Sequence, residues 1–146
     1  MKFLCLYKPA DTKNAESGVP PSQQEIAEMG KFIDEMTKSG ALLATEGCLP
    51  SAKGARVRLS KGKVTVTDGP FTEAKELIAG FALIQANSKA EAIELAKRFL
   101  EVAGDGESEI RQVYDASDCS AEIFPPEHVA RAQVLREEMQ RNAANR

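Results

Sequence analysis

At 146 residues the chain has the size of one ordinary domain, large enough to bury about two-thirds of its unfolded surface. Apolar residues make up 42% and charged residues 28%, which excludes a disordered chain, and a net charge of −3 gives no electrostatic reason for general binding to nucleic acid or an anionic membrane. Three scattered cysteines (Cys5, Cys48, Cys119) with no CxxC pair, no apolar run near the ~20 residues of a membrane span, and an N-terminus unlike a signal peptide predict free thiols in a cytoplasmic protein.

Residues 2–8 alternate, with Phe3, Cys5 and Tyr7 on one side and Leu4 and Leu6 on the other. Both sides are apolar, so this reads as a central strand covered on two faces, ended by Pro9. The polar, Pro-, Gly- and Ser-containing stretch 9–21 reads as a long connection. Ser22 followed by Glu25 is a capping box that starts a helix, in which Ile26, Met29, Ile33 and Met36 recur as one buried stripe. Gly40 supplies its left-handed end, and residues 41–48 form a second strand closed by Leu49-Pro50.

Residues 56–67 have the pattern of a hairpin turning at Lys61-Gly62. That register pairs Leu59 with Val64 and Val57 with Val66 on one face, and Arg58 with Thr65 and Arg56 with Thr67 on the other. Residues 77–86 are apolar on both faces and read as the most buried strand. Ser88 and Glu91 repeat the capping box ahead of a helix carrying Ile93, Ala96, Phe99 and Leu100 on its inner stripe. Gly104-Asp105-Gly106 breaks it before a last strand at 109–114. Beyond Pro125-Pro126 a third helix carries Val129, Ala132, Leu135 and Met139 on its apolar side.

Two strand–helix–strand units in tandem predict an α+β, split βαβ (ferredoxin-like) sheet with an inserted hairpin, both helices on one face, and an extra C-terminal helix. The other face stays apolar and must be buried, which predicts sheet-to-sheet pairing of two copies. The expected organisation is one domain over residues 1–120 and a helical extension over 121–146, packing on its own or the partner subunit.

The informative segment is Asp68-Gly69-Pro70-Phe71-Thr72-Glu73-Ala74-Lys75-Glu76. Asp68 falls on the same hairpin side as Val64 and Val66, and a carboxylate ending an apolar face needs hydrogen bonds or a raised pKa. Two readings compete. In one, Asp68 accepts backbone N–H groups from Phe71 or its neighbour, Pro70 fixes the bend and Phe71 plugs the core. In the other, Asp68 faces a cleft between sheet and helices and acts as a general base or ligand anchor.

DGPFTEAKELIAGF resembles the signature of the DGPF, or YCII-related, family of dimeric α-β barrel proteins. FLCLYK, RVRLSKGKVTVTDGPF and SKAEAIELA extend the likeness over residues 1–115. The resemblance implies a ferredoxin-like protomer in a homodimer and, through frequent association with extracytoplasmic-function sigma factors, a ligand-sensing or regulatory role. Enzymes of the wider group resemble lactone isomerases and dehalogenating enzymes that use a His–Asp pair. The motif carries the Asp over to Asp68, but the only histidine, His128, lies outside the matched region and reads as a solvated surface group.

The alternative is therefore a cofactor-independent acid/base enzyme, an isomerase or lyase acting on a cyclic carboxylate or lactone. Asp68 would be its base and Arg56 or Arg58 would hold the substrate anion. Gly69, Pro70, Phe71, Glu73, Lys75 and Glu76 complete the candidate ligand-binding set, Glu73, Lys75 and Glu76 serving either as a charged turn or as an ionic clamp. The run Lys53, Arg56, Arg58, Lys61 and Lys63 reads as edge-strand protection or as an anion or partner-docking site. It lacks aromatics for stacking, so direct nucleic-acid binding is not expected. No Gly-rich phosphate loop, nucleophile elbow or metal-ligand cluster is present, and no cofactor or metal is predicted.

Overall fold

A computed structural model describes residues 1–72 and 76–146, and the chain divides into two compact units, Met1–Val113 and Tyr114–Arg146. In the first, the double-sided alternation of the opening residues makes β1 (Lys2–Pro9) an interior strand, as expected. It lies between β5 (Gly80–Gln85) and β6 (Gly106–Gln112), with β2 (Leu42–Gly47) outside β5. The order β2-β5-β1-β6, antiparallel throughout, is the ferredoxin-like arrangement. The hairpin β3 (Ala55–Ser60) and β4 (Lys63–Asp68) forms a separate two-stranded sheet. Its register is the predicted one, and Lys61 (φ 50°) and Gly62 (φ 77°) make the left-handed two-residue turn that matches strand twist.

Helix α2 (Gln23–Lys38) opens with the capping box in place. Ser22 Oγ accepts the Glu25 N–H at 3.2 Å and the Glu25 carboxylate accepts the Ser22 N–H at 2.6 Å. Such a cap is worth about 1 kcal/mol. In α3 (Lys89–Ala103) the box is only half made: Ser88 Oγ takes the Glu91 N–H, but the Glu91 carboxylate accepts from Asn87. The core lies between these helices and one sheet face and contains Phe3, Cys5, Met36, Ile84, Ala86 and Ala92. Phe3 is 1% exposed, a burial worth roughly 1.5–3 kcal/mol.

Several expectations are corrected. The 9–21 connection contains a short helix, α1 (Thr12–Glu16), because Asp11 Oδ1 accepts the Asn14 N–H and caps it. The α2 stripe is not buried along its length: Met36 is, but Ile26 is 58% exposed, because the sheet opposite that end presents glycines rather than packing partners. In α3 Ala96 is buried as expected and Phe99 meets Tyr7 of the sheet, while Ala92 and Leu95, outside the expected stripe, also pack in the core. The strand expected at 77–86 begins at Gly80, opposite Tyr7, and its Phe81 stands on the sheet's other face. The last strand begins at Gly106 because β1 extends to Pro9 and pairs there.

In the second unit, α4 (Pro126–Ala144) has Pro at N1 and no buried residue, with Leu135 and Met139 well exposed. Among the described residues no helix is long and apolar enough to cross a membrane.

Candidate functional site

The hairpin leads directly into the DGPF loop. Asp68 ends β4 opposite Ala55, and the Gly69 N–H bonds the Gly54 carbonyl at 3.0 Å. Glycine is obligatory at 69: an added Cβ would stand 1.7 Å from the Ser51 carbonyl oxygen and 2.5 Å from its carbon. The Gly69–Pro70 peptide is cis. Beyond it the Phe71 N–H donates to Ser51 Oγ at 2.9 Å, and the Ser51 hydroxyl and N–H both donate to the Glu16 carboxylate. The Ser51 hydroxyl, then its N–H, hold the Glu16 carboxyl below its ordinary range.

This latch corrects the structural reading of the loop. Ser51 takes the amide expected to bond Asp68, and among the described residues no hydrogen bond or ion pair engages the Asp68 side chain, which is exposed. Phe71 does not plug the core. Its ring is partly buried at the base of the hairpin, where the Arg56 guanidinium lies 4.0 Å above its centroid in a cation–π contact.

The other anticipated residues separate. Arg56 and Arg58 share one hairpin face with Thr65 and Thr67, whereas Asp68 falls on the opposite face with Val57, Leu59, Val64 and Val66. Glu76 bonds Lys8 of β1 at 3.3 Å, and the same ammonium lies 3.6 Å from both Glu107 and Glu109. The Glu76 hydrogen bond is the main cause raising the Lys8 pKa. Glu73 and Lys75 lie outside the described residues. Lys53, Lys61 and Lys63 are exposed, as are Arg56 and Arg58. His128 is exposed in the second unit, its ring 6.2 Å from Phe124. Glu16 and Ser51 were not identified from the sequence. Asp11 three residues before Asn14 is a local capping signal for α1, but no local pattern marks Ser51.

A second feature is a cleft of about 660 Å³ between the sheet and the two long helices of the first unit. It originates in a gradient of side-chain size on the helix-facing side of the sheet. One row reads Gln112, Phe3, Ile84, Leu42 and the next Ile110, Cys5, Ala82, Thr45, but the third reads Ser108, Tyr7, Gly80, Gly47. The large row packs against Met36; in the third row only Tyr7 is large, and over its Gly80 and Gly47 end the N-terminal half of α2 has little to touch. Gly30 enlarges the gap, since a Cβ built there meets nothing within 4 Å. Burial pushes the Cys5 thiol up, so this cysteine is an apolar wall of the cleft rather than a nucleophile. Asp68 is not among the residues lining it. Cys48 is exposed and Cys119 partly so, and no cluster that could hold a metal occurs among the described residues.

A model of the YCII-related domain matches residues 1–117. An uncharacterised protein of Rhizobium meliloti (strain 1021) is 38% identical over 60 residues, which is 41% of this chain and 48% of that protein, so the chain spans about half the length of the curated relative. Among solved structures, the 5-chloro-2-hydroxyhydroquinone dehydrochlorinase of Burkholderia phenoliruptrix AC1100, in complex with 2,5-dihydroxybenzoquinone, aligns with a TM-score of 0.45 and 12% identity. The alignment covers 82% of this chain and 100% of that one.

Proposed function

The chain belongs to the YCII-related domain family, and from that membership we propose that it is a homodimeric small-molecule-binding protein with a regulatory role. The cleft of about 660 Å³ carries the reading, because it lies within the ~300–1,000 Å³ of small-molecule sites and is walled by apolar side chains. Among the described residues no second titratable group is in hydrogen bond or ion pair with Asp68, so the acid/base enzyme is the weaker reading.

Dimerisation is supported by the hairpin. Val57, Leu59, Val64 and Val66 lie on one face and are 71%, 69%, 60% and 64% exposed. A two-stranded hairpin with a bare apolar face is marginal in water and needs a covering surface. Leu4, Leu6, Leu83 and Phe81 on the sheet face turned from the helices add a second apolar surface. A second copy of the chain would cover both symmetrically.

The regulatory partner suggested by the family resemblance is an extracytoplasmic-function sigma factor. Light scattering tests the dimer: twice the chain mass is expected for the parent at micromolar concentration, and a shift towards monomer for Val57→Lys combined with Val66→Lys. A monomeric parent removes the dimer. Mixing the purified chain with a sigma factor of the same cell, with and without a cleft ligand, tests the regulatory role; absence of a complex in both conditions removes it.

A further inference from the structure

Resting on the reading of the cleft as a binding site, we infer that its ligand class is largely apolar and ring-bearing, and that the cleft discriminates against carboxylates and phosphates. Its walls carry three rings in mutual contact. Tyr7 and Phe99 meet edge to face with centroids 5.2 Å apart at 83°, and Phe32 lies 6.4 Å from Phe99 at 49°. Such walls offer both faces and edges to a further ring.

The charges select against an anion. Among the described residues no Lys, Arg or His lines the cleft. The one structure at its mouth that could receive an anion is the N-terminus of α2, where Pro21, Glu25 and Ile26 contribute to the lining. That position already holds an anion, the Glu25 carboxylate bonded to the Ser22 N–H. An entering carboxylate would therefore lose hydration, meet no cation and face a like charge.

Polar groups inside are few and mostly engaged. The Thr45 hydroxyl donates to the Phe81 carbonyl at 3.0 Å, and the Tyr7 hydroxyl reaches the Asp105 carbonyl at 3.5 Å. The Ser108 hydroxyl has no protein partner among the described residues and remains as a hydrogen-bonding handle for one ligand oxygen or nitrogen. The arrangement is an apolar slot with one free hydroxyl inside and two glutamates, Glu25 and Glu46, in its lining.

The test uses three probes sharing one bicyclic ring: 2-naphthalenemethanol, 2-naphthoate and 2-naphthylmethylammonium. Each is titrated by fluorescence against the full chain, which contains no tryptophan to interfere. The alcohol is expected to saturate one site per chain, with the carboxylate weaker than both the alcohol and the ammonium by at least about tenfold, since it meets no cation and faces the Glu25 carboxylate at the mouth. Gly30→Phe should abolish binding by filling the empty space over Gly30, and Ser108→Leu on the sheet wall serves as a second blocking variant should the first fail to fold. Binding of naphthoate as tightly as the alcohol or the ammonium, blocked by these variants, overturns the ligand class while leaving the cleft a binding site. Absence of binding by all three probes, or binding indifferent to both variants, overturns the cleft reading itself.

Discussion

Ser51→Ala and Asp68→Asn form the most informative pair of substitutions, because they separate the residue that holds the DGPF loop from the residue its sequence emphasises. Ser51 is 7% exposed, and its hydroxyl joins the Phe71 amide to the Glu16 carboxylate. Alanine retains the Ser51 N–H bond to Glu16 but leaves the Phe71 N–H without an acceptor at a partly buried position. A donor stranded in this way costs about 1–3 kcal/mol. With a urea slope of ~1–3 kcal/mol/M, a loss near 2 kcal/mol lowers the midpoint by about 1 M. Asp68→Asn removes a charge from an exposed side chain with no hydrogen bond or ion pair among the described residues, so its effect should stay within about 0.5 kcal/mol.

Urea unfolding followed by circular dichroism, with all variants at one protein concentration, reads the difference. Amide exchange at Phe71 supplies a local check: the N–H should exchange slowly in the parent and in Asp68→Asn, and at least about tenfold faster in Ser51→Ala, a factor equivalent to 1.4 kcal/mol. If Asp68→Asn is the more damaging change by either measure, Asp68 holds the loop and the Ser51 latch does not.

Two further predictions concern stability. Gly30 lies inside α2 with open space where a side chain would be, so Gly30→Ala should stabilise by about 0.5–1 kcal/mol and raise Tm by a few degrees, while a fall would mean that the helix packs closer to the sheet than described. Because bonds from Ser51 lower the Glu16 pKa in the folded state, the latch contributes stability that is fully present above the ordinary carboxylate pKa and is lost as pH falls through the lower, folded value. The stability gap between parent and Ser51→Ala should therefore narrow from pH 7 to pH 3, and a constant gap would show that Glu16 does not participate.

The fold was legible where local chemistry and the hydrophobic period agree. The hairpin register followed from matched apolar and polar pairs around Lys61-Gly62, and both long helices of the first unit began at Ser-x-x-Glu pairs. Strand ends at Gly80 and Gly106 were misplaced because they depend on where Tyr7 and Pro9 find partners, a non-local condition. The 26–36 stripe announced a helix correctly but not its burial, which depends on Gly47 and Gly80 arriving opposite it from other strands. The candidate site was legible in the DGPF loop as far as its bend. Its anchor was hidden, since Glu16, Ser51 and Phe71 meet only once the chain has folded. The separation of Asp68 from Arg56 and Arg58 was already contained in the hairpin register, which alternates them to opposite faces.

The position of β1 also sets an order in time. This strand is the first to be synthesised, yet both its neighbours come from the last part of the domain, with Phe3 opposite Ile84 on one side and Gln112 on the other. Its two backbone edges therefore wait unpaired while the hairpin, closed by a two-residue turn, can form alone. The sheet cannot be assembled piecemeal from the N-terminus; it closes when β5 and β6 arrive, at the entropic cost of joining distant segments. Until then the nascent chain presents FLCLYK as an open strand, and the interval before closure is its period of greatest exposure to misassociation.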